Sequence, residues 1–297
     1  MDQKKLAPPK TNLTWLWIVF AIVLIIILSF NFGKSSTDFS KKLNDKKVGV
    51  VYIEGPIISS ERINKDLESF ALRDDVSSIV IRVDSPGGSV APTEEIYEKI
   101  IDIKKNKPVI VSVGNVAASG GYYISLAADS IFVNRGSIIG SIGVIMAYPI
   151  MTDLLDKIGI DFETVKSGQL KDSGSFSRAV NEEDRKHFSD LISNIYEQFI
   201  DIVEKNRSME RSKILELADG RVFTGLMSKE LGLVDEIGTF EKAINVAGDL
   251  GNIIGKPKTI RIERKSNIIK ELLSAKLINK IQTKWFDKMP VYQWRME

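Results

Sequence analysis

Two glycine-rich stretches of this chain follow β-branched runs, and one carries a serine placed for nucleophilic chemistry. DSPGGSV (residues 84–90) comes directly after SIVIRV, and AASGGYYISLAAD (residues 117–129) directly after VIVSV. A glycine pair lets the backbone turn tightly and present its N–H groups. A helix that begins at such a turn adds uncompensated donors and the positive end of its dipole. Together these features suit an oxyanion hole for a tetrahedral intermediate. Ser119 stands at the second turn, immediately before Gly120 and Gly121. There its own turn can supply donors to the oxyanion that forms on its substrate. Taken alone, a serine before two glycines is more often an N-cap or turn residue.

A nucleophilic serine needs a base. The chain has one histidine, His187, in NEEDRKHFSDLI. It lies among charges on an expected helix and reads as part of a solvated face. Lys171, in KSGQLKDSGSFS, is the alternative, and it serves only if desolvation lowers its pKa towards neutrality. By itself it would be read as a surface lysine. Other chemistries fall away on composition. No cysteine is present, which removes thiol catalysis, disulfides and cysteine-ligated zinc. A single histidine removes a multi-histidine metal site.

The elements that must position these residues alternate in type. Residues 48–53, 78–83, 109–113 and 131–133 are short β-branched runs, expected as strands buried on both faces. Between them lie expected helices at 60–72, 90–105 and from about residue 120. Alternation of this kind means an α/β fold with mostly parallel pairing. Residues 181–206 form a long amphipathic pattern, with Phe188, Leu191, Ile195, Phe199 and Ile202 on one stripe; core packing is the plain reading and a partner surface the alternative. A shorter helix is expected at 209–218, a strand at 259–264 and a basic amphipathic helix at 268–286.

The front of the chain is different. Residues 13–32 read LTWLWIVFAIVLIIILSFNF, without a charge. At ~1.5 Å per residue such a helix covers ~30 Å, one hydrocarbon thickness. Trp15 and Trp17 near one end suit the interface, and no small-x-small cleavage site follows. This is the pattern of an uncleaved signal anchor, with residues 1–12 cytoplasmic, a lysine-rich linker at 33–46, and the large domain on the extracytoplasmic side of the cell membrane. The chain of 297 residues carries a net charge of +2, most of it before the apolar run. The balanced remainder has no electrostatic footprint for nucleic acid.

Four stretches, in order, resemble the signal peptide peptidase A family of bacterial serine peptidases, within the ClpP/crotonase-like fold. They are RVDSPGGSVAPTEEIY (82–97), ASGGYYISLAADSIFVNRGSIIGSIGVIM (118–146), KSGQLKDSGSFSR (166–178) and DGRVFTGLMSKELGLVDEIG (219–238). The resemblance implies a repeated ββα core over residues 47–254, with 255–297 as an added C-terminal strand and helix. It implies a Ser/Lys dyad of Ser119 and Lys171, with Ser141 orienting the lysine. It also implies an oxyanion hole made by the backbone N–H of Gly87 or Gly88 together with that of Gly120. No metal or cofactor is needed. The implied substrates are cleaved signal peptides and other short hydrophobic peptides, and the implied assembly is a homo-oligomer with shared active sites. Acyl-thioester chemistry and a non-catalytic scaffold are the competing readings, since a fold alone does not choose a function.

Overall fold

A computed structural model describes residues 20–25 and 46–262. Residues 20–25 are helical; the rest of the expected 13–32 span, most of the linker and the 268–286 helix lie outside the described residues. Among the described residues no helix is long and apolar enough to cross a membrane.

The β-branched runs form the strands expected of them. They are β1 (Lys47–Glu54), β2 (Val76–Ser85), β3 (Val109–Ala118) and β4 (Ser130–Val133). Four shorter strands complete the sheet: β5 (Ile138–Gly140), β6 (Val222–Thr224), β7 (Glu236–Ile237) and β8 (Lys258–Ile260). Its main path runs β6-β5-β3-β2-β1-β8, while β4 pairs with β3 and β7. Pairing is parallel throughout except between β5 and β6. The helices are α1 (Glu61–Ala71), α2 (Val90–Lys104), α3 (Gly120–Ser125), α4 (Thr152–Ile158), α5 (Glu182–Arg207), α6 (Arg211–Leu217), α7 (Gly225–Glu230) and α8 (Phe240–Leu250).

Period-two alternation divides the strand side chains between two cores. Val51, Ile53, Ile79, Ile81, Val109, Val111 and Val113 face one side, where they meet Leu67, Ile96, Ile100, Tyr122 and Ile200 from helices. Val48, Val80, Ile110 and Phe132 face the other, against Ala243 and Ala247 of α8. Helix-covered faces on both sides are the requirement of a parallel sheet. Burying each large aliphatic side chain contributes ~1.5–3 kcal/mol, so these two cores are the main source of the stability that holds the turns of the site.

One irregularity shapes the site. The β2–β3 register runs Val83 to Val113 and then jumps to Ser85 with Ala117. Residues 114–116 thus form an excursion, held by the Asp84 carboxylate, which accepts from Asn115 Nδ2 at 2.8 Å and Val116 N–H at 3.2 Å. Before the excursion β3 pairs with β4; after it, with β5. The strand that leads to Ser119 is in this way turned from one neighbour to another.

Helix α5 begins at a capping box: Asn181 Oδ1 accepts from Asp184 N–H, and Asp184 accepts from Asn181 N–H. Its apolar stripe divides. Phe199, Ile200 and Val203 are buried, whereas Leu191 is exposed and Phe188 and Ile195 are half-buried. Core packing holds only for the C-terminal half of the stripe. The N-terminal half stands beside the 145–176 segment, where Tyr148 meets Phe188 with ring centroids 5.2 Å apart.

Candidate active site

Ser119 is the residue between β3 and α3, with φ 50° and ψ −119°. A non-glycine residue at positive φ is strained by ~1–3 kcal/mol and persists only where its surroundings fix it. Here they do. Ser119 N–H donates to Gly140 O at 2.8 Å, and Ser119 O accepts from Tyr123 N–H at 2.9 Å. Tyr123 in turn lies against Tyr97 and Phe199, at centroid distances of 5.3 and 5.0 Å. Tyr122 is buried beside it and donates to Leu233 O at 2.8 Å. Burial raises the pKa of both phenols, so both remain neutral.

The 85–88 turn lies directly against this serine. A Cβ on Gly87 would come within 2.6 Å of Gly120 N and 2.9 Å of Ser119 Cβ, and Gly87 has φ +97°. A Cβ on Gly120 would come within 3.3 Å of Gly88 N. A Cβ on Gly88 would strike Ile57 O at 2.1 Å, because Gly88 bridges to Ile57 in parallel. The two glycine pairs touch, and side chains on either would separate them.

The turn also distinguishes its donors. Gly87 N–H points inward to Ser85 Oγ at 3.2 Å, and that hydroxyl donates onward to Gly55 O at 2.7 Å. Ser85 is fully buried. Among the described residues neither Gly88 N–H nor Gly120 N–H meets an acceptor. Of the two alternatives left by the sequence, Gly88 has the free donor beside Gly120 and Gly87 has a spent one.

Ser141 leaves β5 at φ 51°, one residue after Gly140 pairs with Ala118. It therefore follows the same strand pair that Ser119 follows, since Ala118, the partner of Gly140, precedes Ser119. Its N–H donates to Arg221 O at 2.8 Å.

Lys171 belongs to a 3-10 turn, Gln169–Asp172, and its side chain is exposed. Among the described residues its ammonium makes no hydrogen bond or ion pair, and so none to Ser119 or Ser141. The turn sits in a segment whose apolar side chains face outward, including Ile145, Ile150, Leu154, Ile158 and Phe162. His187 is exposed on α5, with its ring 5.8 Å from that of Phe188, as expected of a solvated face. Among the described residues there is no cluster of His, Cys, Asp and Glu fit to hold a metal.

Sequence reasoning passed over two residues that shape the site. Asp84 pins the β3 excursion and Ser85 takes the Gly87 amide. Both lie in the DSPGG stretch; the Ser85–Gly87 bond is local, but Gly55, Asn115 and Val116, the other partners, stand 30–32 positions away, which spacing along the chain does not reveal.

A parallel sheet with a strained serine at a strand-to-helix turn, and free amides beside it, is the architecture of a serine hydrolase. The comparisons narrow this. The family model for peptidase family S49 matches residues 101–253, and that for Clp protease matches residues 33–141. The chain is 39% identical to a putative protease of Synechocystis over 70% of its own length and 76% of the relative's. It is 40% identical to a putative signal peptide peptidase SppA of Enterococcus faecium, over 57% of its length and 50% of that protein. With Protease 4 of Haemophilus influenzae it shares 36% identity over 76% of its length and 41% of the relative's. The chain belongs to peptidase family S49 and is a serine peptidase.

Proposed function

We propose that this chain is a membrane-bound endopeptidase that cleaves short hydrophobic peptides, cleaved signal peptides among them, with Ser119 as nucleophile and Lys171 as general base. The observation that carries the reading is the contact between the two glycine turns: it sets free N–H donors beside a serine held in a strained conformation. Neutral Lys171 takes the proton of Ser119 Oγ as that oxygen bonds to the peptide carbonyl carbon. The oxyanion is held by Gly88 and Gly120 N–H groups. Collapse breaks the C–N bond, and the lysine returns its proton to the leaving amine. Water then attacks the acyl-enzyme, giving up a proton to Lys171; the bond between the acyl carbon and Ser119 Oγ breaks, Lys171 returns the proton to Ser119 Oγ, and the acid is released. Ser141 orients the lysine.

Lys171 reaches Ser119 from a second copy of the chain. In support, the segment that carries it exposes Ile145, Ile150, Leu154, Ile158 and Phe162, an apolar face that association would cover. The uncharged run at residues 13–32 supports a single-pass anchor in the bacterial cell membrane, with the peptidase domain on the extracytoplasmic side. The substrate class is supported by the name of the Enterococcus faecium relative. Fluorophosphonate labelling of the full chain, followed by peptide mapping, tests the nucleophile. The adduct is expected on Ser119 and absent from Ser119→Ala; an adduct on another serine would refute the assignment.

A further inference from the structure

Lys171 stands beside residues that are all tied down, while its own ammonium is free. Asp172, the next residue, accepts from Lys166 Nζ at 2.8 Å and from Arg178 at 2.9 Å. Ser173 Oγ donates to Asp184 Oδ1 at 2.5 Å. Arg178 spans the two carboxylates: one of its terminal nitrogens bonds both Asp172 and Asp184, at 2.9 Å each, and the other bonds Asp184 Oδ2. Asp184 is fully buried, and it is also the capping-box residue at the start of α5. Through this chain of contacts the 3-10 turn is fastened to the first turn of a 26-residue helix.

We propose that Arg178 is the positioning residue for Lys171, fixing the turn that carries the lysine and occupying the carboxylate of Asp172. This rests on Lys171 being the base. A lysine base must be neutral to accept a proton, and an unpaired carboxylate one residue away favours the ammonium. With Lys166 and Arg178 both on Asp172, that carboxylate's charge is already compensated. Bidentate and bridging contacts of this kind depend on the planar guanidinium fork, which a lysine reproduces only in charge. The same contacts hold Asp172 down to a pKa of about 2.

The test compares kcat, KM and the pH-rate profile of the full chain on a short hydrophobic peptide. The variants are Arg178→Ala, Arg178→Lys, Asp172→Asn and Lys171→Ala. Arg178→Ala is expected to lower kcat by about 10-fold or more with little change in KM, the pattern of a misplaced catalytic group. It is also expected to move the acid limb to higher pH, because Asp172 then keeps only Lys166 and its charge is less fully compensated beside Lys171. Arg178→Lys recovers part of kcat. Asp172→Asn lowers kcat without the upward shift. If Arg178→Ala fails to fold, Asp172→Asn decides, and wild-type kcat in that variant overturns the proposal. Wild-type kcat and acid limb in Arg178→Ala, with Lys171→Ala dead, overturn it while leaving the dyad intact. An active Lys171→Ala refutes the base itself, and the proposal with it.

Discussion

Ser119 and Ser141 leave adjacent parallel strands at the same level of the sheet, each directly after the Ala118–Gly140 pair and each at positive φ, 50° and 51°. Two neighbouring non-glycine residues in the left-handed half of backbone space are a local cost, maintained because Gly140 O and Arg221 O take their amides. The relationship gives Ser141 a defined place in the chain path beside Ser119, the proposed nucleophile. Ser141→Ala should leave the fold intact and lower kcat by about 10- to 100-fold, the range for a catalytic group allowed to wander. Steady-state kinetics with circular dichroism checks this; an unchanged kcat would remove Ser141 from the site.

Gly87→Ala tests the contact between the two turns. The added methyl meets Gly120 N and Ser119 Cβ and must be carried at φ +97°. The turns have to separate, which displaces an oxyanion donor; losses of about 10²–10³ in kcat accompany removal of one such donor. The rate of fluorophosphonate labelling should fall in parallel. Labelling at the wild-type rate would mean that Gly87 does not set the spacing.

Ser85→Ala removes the acceptor of Gly87 N–H and the donor to Gly55 O in a fully buried position. An unpaired buried group costs about 1–3 kcal/mol. Urea denaturation should show a lower midpoint with an unchanged slope, and kcat should fall because Gly87 N–H is free to turn. An unchanged midpoint would mean that the hydroxyl is not needed inside the turn.

Stability in acid follows from the network around Arg178. The Arg178 guanidinium holds the Asp184 carboxyl well below the usual carboxylate range and, with Lys166, Asp172 down to about 2. A depressed folded-state value means stability that is present above the unfolded pKa of about 4 and lost as pH falls through the folded value. The wild-type chain should therefore lose stability between about pH 4 and pH 2. In Arg178→Ala the largest cause of the depression is removed while Lys166 stays on Asp172 and Ser173 on Asp184, so part of the acid transition should move to higher pH. Circular dichroism across an acid titration reads this directly, and coincident curves would contradict it.

Much of the architecture was legible because β-branched runs and their glycine turns are local signals. The four main strands follow from short β-branched runs, the helices from the patterns between them, and the Ser119 turn from the glycine pair after the third run. The short strands Ile138–Gly140, Val222–Thr224 and Glu236–Ile237 were not, since two or three residues carry no period. Helix α8 carries little signal in the sequence: its buried face is Ala243, Ala247 and Gly248, small residues that allow close approach without making an apolar stripe. The half-exposed stripe of α5 shows the converse. Phe188 and Leu191 repeat at helical spacing as a core would, yet what they face is decided by the segment folded beside them. Choosing Gly88 over Gly87 needed the Ser85 hydroxyl, and the free ammonium of Lys171 needed the whole Asp172–Arg178–Asp184 arrangement.

Peptide cleavage by the full chain, with Ser119→Ala and Lys171→Ala assayed singly and then mixed, tests the central claim most directly. Each folded variant alone should be inactive, and the mixture should regain activity, because a site with both groups forms where one copy supplies Ser119 and the other Lys171. Cleavage by Lys171→Ala alone at near the wild-type rate would contradict the account.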